Sequence, residues 1–267
     1  MYVATAAAPE IDRLVWAVNR RAEREAGSAL AAVARGVGLD APGHIDHFAD
    51  WLTTVGVRRE VAVRRLPYNE PAEIDRWFDA LDALDLLEQD GDRLRAAAGL
   101  MPLANALLEA RTEAARYRWS GHDETVQRLT GFAAHIARAA PASFVVAASH
   151  REIPEFDDSY LSLHLRLVTL RYLRAHAHVE AWTEVGLNVG EIRALTGLWL
   201  GNETGTGLRA IADKGLATET ELTPLGAEMR TAIEADTNRR LVAAFDALSS
   251  KEADRFLADL VNLPGAP

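Results

Sequence analysis

The stretch that decides the fold is LRAIADKGLATETELTPLG, residues 208–226. Leu208 and Ile211 share one face of a predicted short helix, and Gly215 is typical of the position just after a helix ends. Thr223, followed by a proline, is typical of the start of a new helix. The stretch therefore predicts a short helix, a brief extended return and a second, longer helix.

The residues before this stretch complete a helix-turn-helix pattern. Residues 189–200 have helical periodicity, and Gly201-Asn202 is a typical turn. Residues 157–185 carry two adjacent apolar stripes, which predict a long, mostly buried helix that serves as a central packing element or as a dimerisation element. The same periodicity predicts helices near 10–35, 44–55, 70–86, 100–118, 122–139, 157–185, 189–200, 203–214, 224–247 and 250–262.

Strand signals are few. Asp90-Gly91-Asp92 predicts a hairpin turn between two short strands, because glycine takes a positive φ at little cost. Thr218 to Leu222 is a second, shorter strand candidate, and Pro141 to Pro154 predicts an extended linker bounded by prolines. The predicted fold class is all-α, mainly helical with short β-wings.

The N-terminal half contains the same order of elements. A helix ends near Leu87, the hairpin follows, and Pro102 opens another helix. We therefore expect two tandem winged-helix-like units joined by long helices. The predicted domains are an N-terminal helical domain with a winged-helix-like unit at about 44–118, a linker, and a winged-helix domain with C-terminal dimerisation helices; they span residues 1–140, 141–156 and 157–267.

Three motifs resemble the MarR family of bacterial winged-helix regulators over roughly residues 157–263. They are Leu208 with Lys214-Gly215-Leu216, then Leu222-Thr223-Pro224-Leu225-Gly226, and the tail Leu248-Ser249-Ser250-Lys251-Glu252. The proline-bounded segment that leads to Ala177-His178-Val179-Glu180-Ala181-Trp182 is similar to an actinobacterial group with MarR-like C-terminal halves. This resemblance implies a dimeric, DNA-binding, often ligand-responsive repressor.

The recognition helix that the resemblance implies supplies the candidate DNA-binding residues. Base edges are recognised by donors such as Arg and Asn, supported by phosphate contacts. The candidates are Asn202, Thr204, Thr206, Arg209 and Lys214. The wing is shorter than in MarR proteins, since only Ala217 to Glu221 fill it, with two glutamates and no arginine.

The net charge of the chain argues against tight binding to nucleic acid. The net charge is −10, and each phosphate contact needs local positive charge. The first unit's equivalent of a recognition helix would repel phosphate, since it carries Glu70, Glu73, Asp75, Asp79, Asp82 and Asp85. The arginine pairs Arg58-Arg59 and Arg64-Arg65 are interpreted either as a phosphate-contacting face or as partners of this acidic helix.

A polar strip on the long helix suggests a small-molecule site. A strip of His and Arg beside aromatic rings can hold an anionic aromatic ligand, whereas the simpler interpretation is a solvated helix face. The candidate ligand-binding residues are His164, Arg171, Tyr172, Arg174, His178, Trp182 and Trp199.

No pattern for catalysis or metal binding assembles. His176 and Glu180 share a helix face, but His178 lies about 200° away, so the three do not converge on a metal. Cysteine is absent, no catalytic motif occurs, and no cofactor is expected. No window is long and apolar enough to span a membrane, and the expected location is the cytoplasm.

Three function classes stay open at this point. The first is a MarR-like transcriptional regulator that binds DNA, responds to a ligand and forms a homodimer. The second is a degenerate winged-helix protein that binds a small anionic aromatic ligand or a protein partner without binding DNA. The third is an enzyme on a winged-helix scaffold, which needs a concave site with converging titratable groups.

Overall fold

Helices form most of the chain, and a single hairpin supplies the sheet that the structure describes. The structure is a computed structural model that describes residues 2–202 and 205–265. Its helices are α1 Tyr2–Gly36, α2 Ile45–Leu52, α3 Arg59–Arg65, α4 Pro71–Asp82, α5 Met101–Trp119, α6 Asp123–Ala139, α7 Val145–Glu152, α8 Ser159–Glu184, α9 Val189–Leu200, α10 Leu208–Asp213, α11 Pro224–Phe245 and α12 Ser250–Asn262. None of these helices has the length and apolar composition that crossing a membrane requires. The mainly helical fold class is confirmed.

Capping side chains fix the first turns of α8 and α12. The Asp158 carboxylate accepts hydrogen bonds from the backbone N–H groups of Tyr160 and Leu161, at 2.9 and 2.8 Å, and so begins α8. Ser249 and Glu252 form a reciprocal capping box at the start of α12. Each cap satisfies backbone donors that a helix leaves unpaired at its first turn.

The first winged-helix-like unit contains the predicted hairpin. Strands β1, Leu87–Asp90, and β2, Arg93–Ala96, pair antiparallel around Gly91, whose φ is 62°. Leu94 also forms a bridge with Val57, two residues before α3 begins. The unit therefore consists of α2, this short extended contact, α3, α4 and a two-stranded wing.

The structure corrects three predictions about individual segments. Residues 141–154 are not an extended linker, because α7 occupies most of them and buries Val146 and Ala147 in the core. The flanking prolines bound this helix, since a proline outside a helix end leaves its hydrogen bonds intact. Helix α1 begins at Tyr2 rather than residue 10, and α3 was not predicted. Between 218 and 222 there is one bridge, Ala217 to Leu222, instead of a strand.

Two groups of buried apolar side chains hold the fold together. The larger group, here called the main core, draws on α1 through α8 and on α11 and α12. The smaller group, here called the C-terminal core, lies beneath α9 and α10 and includes Trp182, Ile192, Leu195, Ile211 and Leu216. Helix α8 contributes side chains to both cores.

The terminal helix α12 packs on α1 and α6 of its own chain. Its buried side chains include Phe256 and Leu260, and the Phe256 ring contacts Phe132 of α6 edge-on at 6.1 Å between centroids. The apolar face that the sequence assigns to dimerisation is therefore covered within the chain. A homodimer stays a prediction.

Candidate functional site

A helix-turn-helix lies between Asn188 and Gly215, formed by α9, a turn and α10. A capping box begins α9: the side-chain oxygen of Asn188 accepts from the backbone N–H of Glu191 at 3.0 Å, and the Glu191 carboxylate accepts from the backbone N–H of Asn188 at 2.9 Å. The left-handed residue Gly201, with φ 69°, ends α9, and Gly215, with φ 73°, follows α10. Both glycines adopt a conformation that other residues disfavour.

Two close backbone contacts pack this helix-turn-helix together and against α11. A β-carbon on Gly207 would lie 2.0 Å from the carbonyl oxygen of Gly190, so the turn and the start of α9 touch backbone to backbone. A β-carbon on Gly226, in the first turn of α11, would lie 1.9 Å from the carbonyl oxygen of Leu216. The glycine in the Leu-Thr-Pro-Leu-Gly motif is therefore required for packing rather than for flexibility.

Gly207→Ala is expected to destabilise this unit. The new methyl group must push α9 and the turn apart, which typically costs about 1–3 kcal/mol. Urea denaturation would measure the loss, and amide hydrogen exchange would show faster exchange within α9 and α10 than within α5. Gly131→Ala is the matched control, because a β-carbon there meets no atom within 4 Å and alanine favours the helix. Equal stability of the two variants would contradict the prediction.

The candidate DNA-binding residues are only partly available for contact. Asn202, Thr206 and Arg209 are exposed, whereas Thr204 lies outside the described residues. The Lys214 ammonium is held by the Glu191 carboxylate at 2.8 Å and by the carbonyl oxygen of Gly186 at 2.9 Å. Although burial alone would raise it, the pKa of Glu191 is lowered, because Lys214 and a backbone N–H donate to its carboxylate. Lys214 therefore ties the helix-turn-helix together.

One exposed cation on this surface was missed from the sequence. Arg193 is exposed on α9, one turn after the capping box. Arg193 lies between Ile192 and Ala194, which both face the core, and a charged residue in such a position is expected to point to solvent. This pattern could have identified it. Exposed carboxylates oppose the cations of this surface at Asp213, Glu219 and Glu221.

The first unit presents an acidic surface. Arg59 and Asp79 of α4 form an ion pair at 2.7 Å, and Arg58 lies 3.7 Å from Asp92 in the wing. Arg65 turns inward to Asp50. Three of the four arginines in the two pairs thus have carboxylate partners among the described residues, but of these only Arg59 pairs with the acidic helix, since Arg58 pairs with the wing and Arg65 with α2.

The candidate ligand-binding residues do not form one site. His164, Arg171 and Tyr172 line a cavity of about 710 Å³ between α1, α2, α5 and α8, here called the central cavity. Arg174 lines an adjoining recess of about 180 Å³. The remaining three candidates lie elsewhere: His178 is buried against α11, Trp182 belongs to the C-terminal core, and Trp199 is 50% exposed.

His178 and its neighbours on α8 face different partners. His178 Nδ1 lies 3.0 Å from the Thr237 hydroxyl, whereas His176 Nε2 lies 3.3 Å from the carboxylate of Glu180. Burial lowers the pKa of His178 to about 4. The three side chains that invited a metal interpretation therefore point in two directions.

The sequence did not place several further polar side chains of the central cavity. Three of them are His47 of α2, Arg65 of α3 and Arg111 of α5, and the others are Asn19, Glu23, Ser28 and Asp46. Arg65 is 2% exposed, and its two terminal guanidinium nitrogens donate to the carboxylate of the fully buried Asp50, at 3.0 and 3.1 Å. Asp50 falls inside the apolar run Phe48 to Leu52, which signals a buried carboxylate without identifying its partner.

The histidines of the cavity are neutral at physiological pH. Burial lowers the pKa of His164 to about 3, with a further contribution from the charge of Arg111. Burial also lowers the pKa of His47 to about 4, against the opposing effect of Asp46. A neutral imidazole offers one hydrogen-bond donor and one acceptor.

Comparison with known proteins identifies the family. No curated protein and no solved structure is significantly similar to the chain. A family model described as Helix-turn-helix family matches residues 83–265, which run from the first wing through α12 and make up more than half of the 267 residues. The chain therefore belongs to this helix-turn-helix family.

Proposed function

We propose that the protein is a MarR-like transcriptional regulator that binds DNA through α9, α10 and the short wing at 217–222, and that a small molecule controls this binding. Membership of a helix-turn-helix family suggests a DNA-binding regulator in general. The observation that supports DNA contact by this chain is the exposed surface of Arg193, Asn202, Thr206 and Arg209 on a closed helix-turn-helix. Arginine and asparagine are the side chains best suited to base edges.

The small number of free cations limits the strength of this contact. Arg193 and Arg209 are the exposed arginines of this surface, and Lys214 is engaged with Glu191. A plot of the logarithm of the binding constant against the logarithm of the salt concentration has a slope of about −0.9 for each phosphate contact. Two contacts therefore give a slope of about −2. We therefore expect binding that is weak and only modestly dependent on salt.

Arg209→Ala is expected to weaken binding to DNA from the protein's own promoter region about tenfold, which corresponds to the loss of one good contact. Fluorescence anisotropy at low salt would measure the affinity. Arg76→Ala is the matched control, because Arg76 is an exposed arginine on the acidic helix α4. The proposal fails if no neighbouring fragment binds, or if the two variants weaken binding equally.

The central cavity favours a second candidate function. In this alternative the protein binds a small molecule or a protein partner and does not contact DNA. A cavity of about 710 Å³ falls within the usual size range of small-molecule sites. Ligand binding that persists when no DNA fragment is retarded would identify this alternative.

A further inference from the structure

We infer that the central cavity binds an uncharged, largely apolar aromatic molecule that carries a hydroxyl or amide group, and that His164 recognises this polar group. The inference refines the ligand response proposed above. It rests on the proposed function only for the claim that the ligand changes DNA binding. Binding itself follows from the side chains of α1, α2, α5 and α8.

His164 is the observation that points to a ligand. The residue is fully buried, it lines the cavity, and neither ring nitrogen has a hydrogen-bond partner among the residues that the structure describes. A buried polar group without a partner is costly, so native proteins almost always satisfy one. A hydroxyl or amide supplies both a donor and an acceptor and so matches a neutral imidazole.

The arginines of the cavity argue against a carboxylate ligand. Each one already has a carboxylate partner: Arg65 pairs with Asp50, Arg111 lies 2.8 Å from Asp46, and Arg171 lies 2.8 Å from Asp12. An anion entering the cavity would lose its hydration without gaining an unpaired cation. The ligand class therefore differs from the anionic one that the polar strip predicts.

The apolar part of the lining fits a flat apolar body, and the rest of the lining adds the polar side chains of Asn19, Glu23, Ser28 and Asp46. Apolar side chains from three helices face the cavity, and Trp16 and Tyr172 add aromatic rings; the apolar residues are Val15, Leu107, Ala110, Leu165 and Val168. The Arg171 guanidinium covers the Trp16 ring at 5.0 Å from its centroid. Such a mixture, with a few polar groups, is typical of sites that hold aromatic ligands.

Isothermal titration calorimetry of the full chain with a matched pair of probes tests the inference. The probes are 2-naphthol and 2-naphthoate, which share an aromatic body and differ in charge at neutral pH. We expect naphthol to bind at least tenfold more tightly than naphthoate. His164→Phe should weaken naphthol binding about tenfold, as the loss of a buried hydrogen bond does. His135→Phe, at an exposed histidine on α6, should leave the affinity unchanged.

A second variant keeps the test valid if His164→Phe does not fold. Gly27 lines the cavity, and a β-carbon there meets no atom within 4 Å, so Gly27→Leu adds bulk to the wall and is compatible with the helix. It should also weaken naphthol binding. Naphthoate binding as tightly as naphthol, naphthol binding unaffected by both variants, or no binding at millimolar concentration would each overturn the inference. Failure of DNA retardation would leave these results unchanged.

Discussion

Lowering the pH from 7 to about 4 is expected to unfold the protein. Burial lowers the pKa of four histidines from 6.5 to about 3 or 4; they are His47, His150, His164 and His178. The unfolded chain binds a proton on each imidazole below pH 6.5, whereas the folded protein does not. Because the unfolded state then holds more protons, stability is complete above pH 6.5 and falls as the pH drops toward 4.

The size of this loss is comparable with the whole stability of a native domain. Each additional proton costs about 1.4 kcal/mol per pH unit, so four histidines cost about 5 kcal/mol per pH unit. Native domains are stable by about 5–15 kcal/mol, so the unfolding midpoint should fall between about pH 4 and 5.5. Circular dichroism during acid titration would measure this midpoint.

Variants at single histidines separate this cause from general acid unfolding. His164→Phe removes one of the four protons, so the midpoint should move to lower pH, whereas His135→Gln at an exposed site should not move it. Native near-ultraviolet and far-ultraviolet spectra at pH 4 would show that the buried histidines do not control stability.

Asp50→Asn is expected to destabilise the protein by about 3–5 kcal/mol, the usual cost of leaving one member of a buried ion pair alone. Burial alone would raise the pKa of Asp50, but the charge of Arg65 holds it below its ordinary value. The Arg65 guanidinium also lies 4.2 Å from the centroid of the Trp51 ring and 4.7 Å from that of Tyr172. The pair thus connects α2 and α3 of the first unit to α8.

A double variant shows whether the pair or the space it fills matters. Urea denaturation should show Asp50→Leu combined with Arg65→Met to be much less destabilised than either single change, because no uncompensated charge remains. The explanation is wrong if Asp50→Asn costs less than about 1 kcal/mol, or if the double variant loses the sum of the two single losses.

Local signals in the sequence predicted the elements whose structure is locally determined. The hairpin at Gly91 depends on neighbouring residues, and it is confirmed; the caps of α8 at Asp158 and of α12 at Ser249 and Glu252 are equally local. Pro141 and Pro154 led to the wrong prediction of an extended linker, because prolines flank the ends of a helix as readily as they bound a linker. Residues 145–152 form α7 because they bury side chains against α6 and α8, which the local sequence does not reveal.

The candidate sites were harder to predict because they depend on distant contacts. His164 and His178 lie on what looks like the solvated strip of α8, yet both are buried. Helices α1, α5, α6 and α11 all pack on α8, so side chains at its polar positions are also buried away from solvent. Lys214 likewise belongs to the predicted DNA-binding set by position, but Glu191, 23 residues earlier, engages its charge.

The continuity of α8 restricts where insertions and deletions can occur in this protein. Leu167 and Leu173 belong to the main core, and Ala181 and Trp182 belong to the C-terminal core, within one helix of 26 residues or about 39 Å. One residue inserted or deleted between Leu173 and Ala181 would rotate one half about 100° relative to the other. Homologues should therefore vary in length in their loops and not within α8, because even seven added residues, which nearly restore the angle, would move the two halves about 10 Å apart.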